Sequence, residues 1–333
     1  MATIRDVAEK ANVGVGTVSR VINESPDVSP DTRKRVQKAI QELNYTPNLT
    51  ARRLSLGKTW QIAVVLPYLT LPSYVERLRG VQQALGNTEY YPILYSVGSP
   101  DQRDDYLTTL SEKTQVDGLL IISMPLSQKQ TQLLIKNEIP TVLIDASSDA
   151  LPHIIVDDIS GGMLATRHLI ELGHQRIGFL SDFLDTPFQR SGKDRYSGYR
   201  KALQEAGLPY REEFVIEGER GRRNAARLAH RLLTRIPRPS AIFTSSDTHA
   251  IGVLDAAAEL DIKVPGELSI IGYDGIRDAE YLNLTTISQP LLETGVRGAR
   301  LLLDLINNHQ LESLCLEMPL KLILRGTTAP PVT

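Results

Sequence analysis

A polar stretch near the amino terminus carries side chains that can contact nucleic acid. It runs from Gly14 to Arg20, and its single arginine can donate two hydrogen bonds to one guanine, which discriminates between bases by about 1–3 kcal/mol. Thr17 and Ser19 can bind phosphate. Ordinary alternatives stay open at this point, because an arginine on a helix surface can simply be solvated and the two hydroxyls can cap or cover a helix.

A second set of polar side chains follows the carboxyl ends of predicted strands. Ligands in open parallel sheets bind beyond those ends, so the residues directly after each strand are candidates for a binding site. These candidates are residues 67–74, Ser123, Asp145, Asp182, residues 245–247 and residues 273–274. Carboxylates accept hydrogen bonds from hydroxyl groups and can suit a polyhydroxylated ligand. The aromatic faces of Tyr68, Tyr74 or Tyr281 can cover the apolar faces of a sugar.

The sequence offers no signature of an enzyme. Residues 57–59, Gly-Lys-Thr, imitate the end of a phosphate-binding loop, but Arg52 stands where that loop needs glycine and no strand precedes it. Neither Gly-x-Ser-x-Gly nor His-Glu-x-x-His occurs. Cys315 is the single cysteine, which excludes an internal disulfide framework and a zinc site built on several cysteines. We predict no enzymatic activity, no metal and no cofactor.

The composition is that of soluble globular domains. The chain has 333 residues, of which 41% are apolar and 23% charged, and this length predicts two or more domains. No run of about 18 apolar residues predicts a membrane span, and the first residues lack the apolar block of a secretory signal. We therefore expect a cytoplasmic protein with no membrane partner.

Charge is distributed unevenly along the chain. Residues 1–60 contain ten Lys or Arg and six Asp or Glu, a net charge of +4, whereas the whole chain carries −2. A basic head on an acidic body indicates a polyanionic partner for the head. A solvated helical surface would give the same charge, so the balance alone leaves both interpretations open.

The predicted elements fall into two different patterns. Thr3 with Asp6 signals a capped first helix, Val15–Ile22 forms a second, and Ser29-Pro30 starts a third that ends near Leu43. Helix, tight turn and helix on a basic segment is the helix-turn-helix arrangement. Beyond residue 60, eight apolar strand runs alternate with amphipathic helices, and further strands lie around residues 316–324. This predicts an α/β fold with two doubly wound lobes of parallel sheet.

Several motifs are similar to those of the LacI/GalR family of bacterial repressors. In the head they are Asp6-Val7-Ala8-Glu9-Lys10-Ala11, Thr17-Val18-Ser19-Arg20-Val21-Ile22-Asn23 and Leu43-Asn44-Tyr45-Thr46-Pro47-Asn48. In the core they include Leu172-Gly173-His174, Arg195-Tyr196-Ser197-Gly198-Tyr199 and Ile271-Gly272-Tyr273-Asp274. The resemblance implies a helix-turn-helix domain at residues 1–47, a hinge helix and linker at residues 48–60, and a periplasmic-binding-protein-like effector and dimerisation domain at residues 61–333. We expect its lobes to divide near residues 155–160, with the chain recrossing near residues 285–291.

The resemblance also implies that a homodimer binds double-stranded operator DNA. Val15, Gly16 and Arg20 match operator-reading positions, Leu54 matches a leucine wedged into the minor groove, and Ala51 lets two hinges approach. The implied DNA-binding residues are Thr3, Val15, Gly16, Thr17, Ser19, Arg20, Asn23, Tyr45, Asn48, Ala51, Arg52, Leu54 and Ser55. The hinge helix has nine residues, too few to persist alone in water, so we expect it to fold only when two copies pack on DNA.

The core is expected to hold a small effector, a sugar or sugar derivative, that controls DNA affinity. The implied effector-binding residues are Tyr68, Tyr74, Ser123, Asp145, Arg195, Ser246, Asp247, Asp274 and Gln289. Arg195 and Asp274 match the family contacts best, with an interlobe salt bridge or a cap as their alternative role. Asp145 and Asp247 can instead be helix caps. The alternative function is a cytoplasmic sugar-binding or sugar-modifying protein with an incidental basic head. A third hypothesis is a DNA-architectural protein with a ligand-free core.

Overall fold

The computed structural model describes residues 2–46, 57–112, 115–186, 188 and 190–332. The chain forms two compact units, residues 1–59 and residues 60–333. The predicted hinge helix lies outside the described residues, and with it five of the implied DNA contacts: Asn48, Ala51, Arg52, Leu54 and Ser55. Within the described part of the chain, no helix combines the length and the apolar character needed to cross a membrane.

The amino-terminal unit contains three helices with the predicted boundaries. They are α1 (Ile4–Ala11), α2 (Val15–Ile22) and α3 (Pro30–Glu42). The capping box at α1 is formed as predicted, because the Thr3 backbone N–H donates to Asp6 Oδ2 at 2.7 Å and the Asp6 N–H donates back to Thr3 Oγ1 at 3.4 Å. Capping therefore explains where α1 begins.

One small apolar core holds the three helices together. Val7, Val18 and Val36, one from each helix, are fully buried in it. Asn12 ends α1 with a left-handed φ of 52° and turns the chain directly into α2. The two helices are thus joined by a three-residue turn, Asn12 to Gly14, as a helix-turn-helix requires.

The second unit is built from twelve strands and nine helices among the described residues. The strands are β1 Gln61–Leu66, β2 Tyr91–Ser96, β3 Gly118–Ile122, β4 Thr141–Ile144, β5 His153–Ile155, β6 Ile177–Asp182, β7 Val215–Gly218, β8 Ala241–Thr244, β9 Ser269–Asp274, β10 Thr286–Ser288, β11 Cys315–Glu317 and β12 Lys321–Ile323. The helices are α4 Pro72–Leu85, α5 Pro100–Leu110, α6 Gln128–Lys136, α7 Asp158–Glu171, α8 Ser191–Glu205, α9 Arg222–Leu233, α10 Asp247–Glu259, α11 Arg277–Tyr281 and α12 Leu291–Ile306.

These elements form two lobes, each around one six-stranded sheet, which confirms the predicted fold class. The spatial orders are β11-β5-β4-β3-β1-β2 in the first lobe and β12-β10-β9-β8-β6-β7 in the second. All pairs are parallel except β10 with β12. The eight predicted strand runs are present, but β5 and β10 were not predicted, because three residues are too few to show a pattern.

The chain passes between the lobes three times. It crosses after β5 at residues 156–157, after β10 at residues 289–290, and between β11 and β12 at residues 318–320. Residues at the carboxyl ends of strands from both sheets, such as Asp145 and Asp274, line one common cleft.

Glycines allow two helix pairs to pack with their backbones in contact. A Cβ on Gly80 of α4 would lie 2.0 Å from the Leu292 carbonyl oxygen, and one on Gly295 of α12 would lie 2.0 Å from the Arg77 carbonyl oxygen. In the second lobe, a Cβ on Gly198 of α8 would lie 2.1 Å from the Ile159 carbonyl oxygen. Any larger residue must therefore separate the helices.

We expect Gly80→Ala to destabilise the core by about 1–3 kcal/mol, the usual effect of overpacking. At an exposed helix position, a Gly→Ala substitution would instead be stabilising, since alanine favours the helix over glycine by about 1 kcal/mol. The matched control is Gly86→Ala at the end of the same helix, where the nearest atom lies 3.4 Å from the added Cβ. Urea unfolding of both variants checks this, and equal midpoints for Gly80→Ala and wild type would contradict it.

Candidate functional site

Side chains from both lobes line one cleft at the carboxyl ends of the sheets. The space between the lining side chains is about 580 Å³, a figure that includes open solvent. Its polar lining includes Tyr74, Arg77 and Asp145 from the first lobe, Asp182, Arg195, Arg220, Ser246, His249 and Asp274 from the second, and Gln289 from the second crossing. The lining therefore carries three guanidinium groups and three carboxylate groups.

Arg195 is the centre of the second lobe's wall. It is buried in the first turns of α8, where its Nε donates to Asp158 Oδ1 at 2.8 Å and its Nη1 donates to the Ser245 carbonyl oxygen at 2.6 Å. Its Nη1 also lies 3.4 Å from Asp274 Oδ1, and the guanidinium carbon lies 3.8 Å from the centroid of the Tyr273 ring. The Arg195–Asp274 pair lies within one lobe, so the predicted interlobe alternative is wrong.

Burial and charge oppose each other in this cluster. Burial raises the pKa of Asp158 to about 6, although Arg195 favours its charged form. Burial likewise raises the pKa of Asp274 against the effect of Arg195. Burial would lower the pKa of Arg195, but Asp158 and Asp274 hold it above its ordinary value. The guanidinium therefore stays charged, and both carboxylates depend on it for compensation.

A chain of polar contacts that starts at Arg77 connects the two lobes. This side chain is buried on α4, with Nη2 3.1 Å from Gln289 Oε1 and 3.4 Å from Asp145 Oδ2. Gln289 Nε2 in turn donates to Asp274 Oδ1 at 2.7 Å. Asp145 from the first lobe and Asp274 from the second are thus linked through two side chains, and a change in lobe angle must alter these contacts.

Six of the nine predicted effector-binding residues line the cleft: Tyr74, Asp145, Arg195, Ser246, Asp274 and Gln289. Ser123 is buried and donates to Asp145 Oδ2 at 2.5 Å. Tyr68 packs edge-on against Tyr74 and carries the Arg220 guanidinium 4.0 Å above its ring. Arg220 also pairs with Asp182.

Asp247 does not line the cleft, and this prediction is corrected. Its Oδ2 accepts hydrogen bonds from the backbone N–H groups of Gly275 and Ile276 at 2.7 and 2.9 Å, and its Oδ1 accepts one from Thr286 Oγ1 at 2.6 Å. It is not the helix cap either, since Ser246 holds that position. The carboxylate instead fastens the start of α10 to the loop after β9.

We expect Asp247→Asn to weaken the pH dependence of stability between pH 4 and 8. Burial raises the pKa of Asp247 from its ordinary 3.8 to about 8. Between these two values the Asp247 carboxyl is protonated in the folded protein but ionised in the unfolded chain. The free energy of unfolding therefore falls as pH rises, by up to about 1.4 kcal/mol per pH unit. Asparagine keeps the shape but does not titrate. Urea unfolding at pH 5, 6.5 and 8 measures how the free energy of unfolding changes with pH, and the exposed Asp261→Asn is the control. Equal changes with pH in wild type and Asp247→Asn would contradict this prediction.

In the amino-terminal unit, α2 presents the predicted base-reading residues outward. Val15 is 42% exposed and Arg20 is exposed, whereas Val18 and Val21 on the opposite face are buried. The polar residues between these faces are partly buried, and Asn23 Nδ2 donates to Ser19 Oγ at 3.5 Å. The helix therefore separates a packing face from a free face.

The other implied head contacts have structural roles of their own. Thr3 is exposed and caps α1, with its Oγ1 donating to Asp6 Oδ2 at 2.9 Å. Tyr45 is half-buried and packs against the core of the three helices. Thr17 is half-buried in the first turn of α2. None of these roles prevents contact with DNA.

The two glycines at the start of α2 are not explained by the fold of this unit. Gly14 has an ordinary φ of −75°, and Gly16 lies inside the helix. A Cβ on either residue would meet no atom within 4 Å. Neither backbone conformation nor packing among the described residues requires glycine, so their small size leaves the outer surface of α2 open for a close approach.

Comparison with known proteins assigns the family. The profile described as "Bacterial regulatory proteins, lacI family" matches residues 3–48, and "Periplasmic binding protein-like domain" matches residues 166–328. Over 339 residues the chain is 37% identical to the HTH-type transcriptional repressor PurR of Yersinia pestis bv. Antiqua, covering 99% of this chain and 97% of that protein. The chain belongs to the LacI family.

Solved structures extend this likeness over the whole LacI-family chain. The lac repressor dimer bound to operator and the anti-inducer ONPF matches with a TM-score of 0.85 and 26% identity, covering 98% of this chain and 99% of that one. The transcriptional regulator CelR in complex with cellobiose matches with a TM-score of 0.71 and 31% identity, covering 98% and 100%. This chain is accordingly a LacI-family transcriptional repressor with a ligand-binding core, and the three relatives are regulators rather than enzymes.

Proposed function

We propose that this LacI-family repressor binds a pseudo-palindromic operator as a homodimer. The observation that carries the proposal is the free face of α2, where Arg20 and Val15 are exposed beside Gly14 and Gly16. Arg20 reads a guanine and Val15 contacts a thymine methyl group. Gly14 and Gly16 let α2 come close to the base edges. Because Gly16 has no side chain, one position that could contact a base is lost. Two heads related by two-fold symmetry read two half-sites.

The hinge supplies the second part of the DNA contact. Leu54 enters the minor groove and partially unstacks one base step, which is easiest at a pyrimidine–purine step. Ala51 lets the two hinge helices approach each other, and Arg52, Asn48 and Ser55 contact the DNA backbone. Folding of this segment is coupled to DNA binding because a nine-residue helix is unstable alone.

The effector we propose is a sugar or sugar derivative, bound in the cytoplasm. The cleft supports this class because Asp145 and Asp274 accept hydrogen bonds from hydroxyl groups and Arg195 donates to oxygens. Its guanidinium and carboxylate groups are already compensated by one another, so a neutral polyhydroxylated molecule adds hydrogen bonds without adding an unpaired charge. The cellobiose complex of the CelR regulator has the same fold.

The effector controls DNA affinity through the angle between the lobes. A ligand that contacts Asp145 and Asp274 competes with the link through Arg77 and Gln289, and so changes the relative stability of the two lobe arrangements. Coupling of this kind is typically about 1–3 kcal/mol and is reciprocal.

Calorimetry of the full-length protein tests the proposal. Neutral sugars are titrated into the protein with and without a duplex selected by the protein from a random pool. We expect the affinity for the sugar to differ about 5- to 150-fold between the two titrations. Equal affinities would contradict the allosteric mechanism, and failure to select any duplex would contradict the role of the head.

A further inference from the structure

His249 is a cleft residue that the sequence analysis did not identify. It lies in the first turn of α10, is only 3% exposed and lines the cleft. Burial first, and then the positive charges of Arg220 and Arg195, lower the pKa of its ring to about 3. The imidazole is therefore neutral at physiological pH.

The contacts of one ring nitrogen, Nδ1, favour one tautomer of His249. His249 Nδ1 lies 2.7 Å from Ser246 Oγ and 3.3 Å from Ser245 Oγ. Ser246 Oγ already accepts the His249 backbone N–H at 3.3 Å, so its own hydrogen is available to Nδ1. We infer that Nδ1 accepts this hydrogen bond and that the ring proton lies on Nε2.

Nε2 is buried, and no residue that the structure describes gives it a hydrogen-bond partner. A buried donor without a partner is destabilising, and such groups are rare in folded proteins. The ring forms part of the cleft wall, and the two serine hydroxyls contact only its other nitrogen, Nδ1. Arg195 and Arg220 also line the cleft, and their positive charges favour an acceptor oxygen of a ligand bound beside His249.

We propose that His249 determines ligand specificity by donating a hydrogen bond from Nε2–H to an acceptor oxygen of the bound sugar. The inference rests on the proposed ligand class and adds to it one required feature: a ring, hydroxyl or carbonyl oxygen at the second-lobe wall beside Arg195 and Arg220. A ligand that presents only an apolar group there leaves the donor unpaired and is rejected.

Two substitutions separate the roles of the two ring nitrogens. In His249→Gln the side-chain amide N–H₂ reaches about as far as Nε2 and keeps the donor. In His249→Asn the shorter amide replaces only Nδ1 and keeps the contact with Ser246. A merely structural role through Ser246 is preserved better by asparagine, whereas the proposed contact is preserved better by glutamine.

The experiment titrates full-length wild type and both variants with neutral pentoses, hexoses and disaccharides, including D-ribose and cellobiose, by calorimetry. For each probe that binds wild type, we expect His249→Gln to bind within a few-fold and His249→Asn to bind roughly tenfold or more weakly. Equal binding by all three proteins overturns the role of His249 and leaves the sugar function intact. No binding of any probe to wild type contradicts the sugar function itself, and this inference with it.

Nitrogen-detected NMR of the histidine rings adds a test that needs no ligand. We expect the His249 signals, assigned by their loss in His249→Gln, to show a protonated Nε2 and an unprotonated Nδ1 in the full-length protein at pH 7. A proton on Nδ1 would overturn the assignment, because Nε2 would then be an acceptor and would call for a donor on the sugar.

Discussion

Replacing Arg195 with methionine is expected to lower the free energy of unfolding of the core by about 3–5 kcal/mol, the usual effect of removing one partner from a buried ion pair. Methionine fills much of the same volume but leaves Asp158 and Asp274 buried without their cation, and it leaves the Ser245 carbonyl oxygen without its donor. Because each carboxylate must then be buried charged or take up a proton, the loss is larger at pH 8 than at pH 5. Urea unfolding at both pH values measures it.

Two further variants separate charge from packing. Arg200→Met on the same helix is the matched control. Arg200 is exposed and its guanidinium lies 4.9 Å from the centroid of the Tyr210 ring, so its replacement should change the free energy of unfolding by no more than about 0.5 kcal/mol. In the Arg195→Met background, Asp158→Asn should restore part of the stability, because it removes one uncompensated charge. If Arg195→Met is no less stable than Arg200→Met, the ion cluster is not what holds this wall of the cleft together.

Arg20→Ala is expected to remove most of the preference for operator over random DNA. One bidentate contact to guanine discriminates by about 1–3 kcal/mol, and a homodimer makes it in both half-sites, so the specificity ratio should fall roughly 30-fold or more. Weak, salt-dependent binding to any duplex should remain, because phosphate contacts by other residues persist. Fluorescence anisotropy on a selected duplex and on a scrambled one, at two salt concentrations, measures both quantities.

The control for charge is Lys34→Ala, which removes an exposed cation from α3 rather than from the free face of α2. We expect it to weaken binding to both duplexes by a similar factor, with little change in their ratio. If Arg20→Ala likewise weakens both duplexes equally, Arg20 is a phosphate contact and the base-reading role is wrong.

Helix and strand positions were largely predictable because they depend on near neighbours in the chain. The capping box between Thr3 and Asp6 spans three residues, and Ser29 caps α3 by accepting the Thr32 N–H. Long apolar runs such as β1 and β3 stand out for the same reason. Three-residue strands such as β5 and β10 do not, since their pairing is decided by a sheet that already exists.

The cleft was predictable only in part. Residues that directly follow a strand, such as Asp145 and Asp274, reach the cleft because parallel strands end at one edge. Arg77 was missed because it lies within an amphipathic helix, where a charged residue is normally read as exposed. The same rule of position that placed Asp145 correctly was wrong for Asp247, whose carboxylate turns back to the loop after β9.

The sequence by itself determined the family, the two-part organisation, the three head helices and the two-lobed α/β fold, because caps, periodicity and contiguous motifs are local properties of the chain. Only the tertiary structure decided which polar side chains meet. Arg77 and Gln289 are 212 residues apart, and Arg195 and Ser245 are 50 apart. No local pattern encodes such pairs, since each forms only after both sheets and the crossings between them are in place.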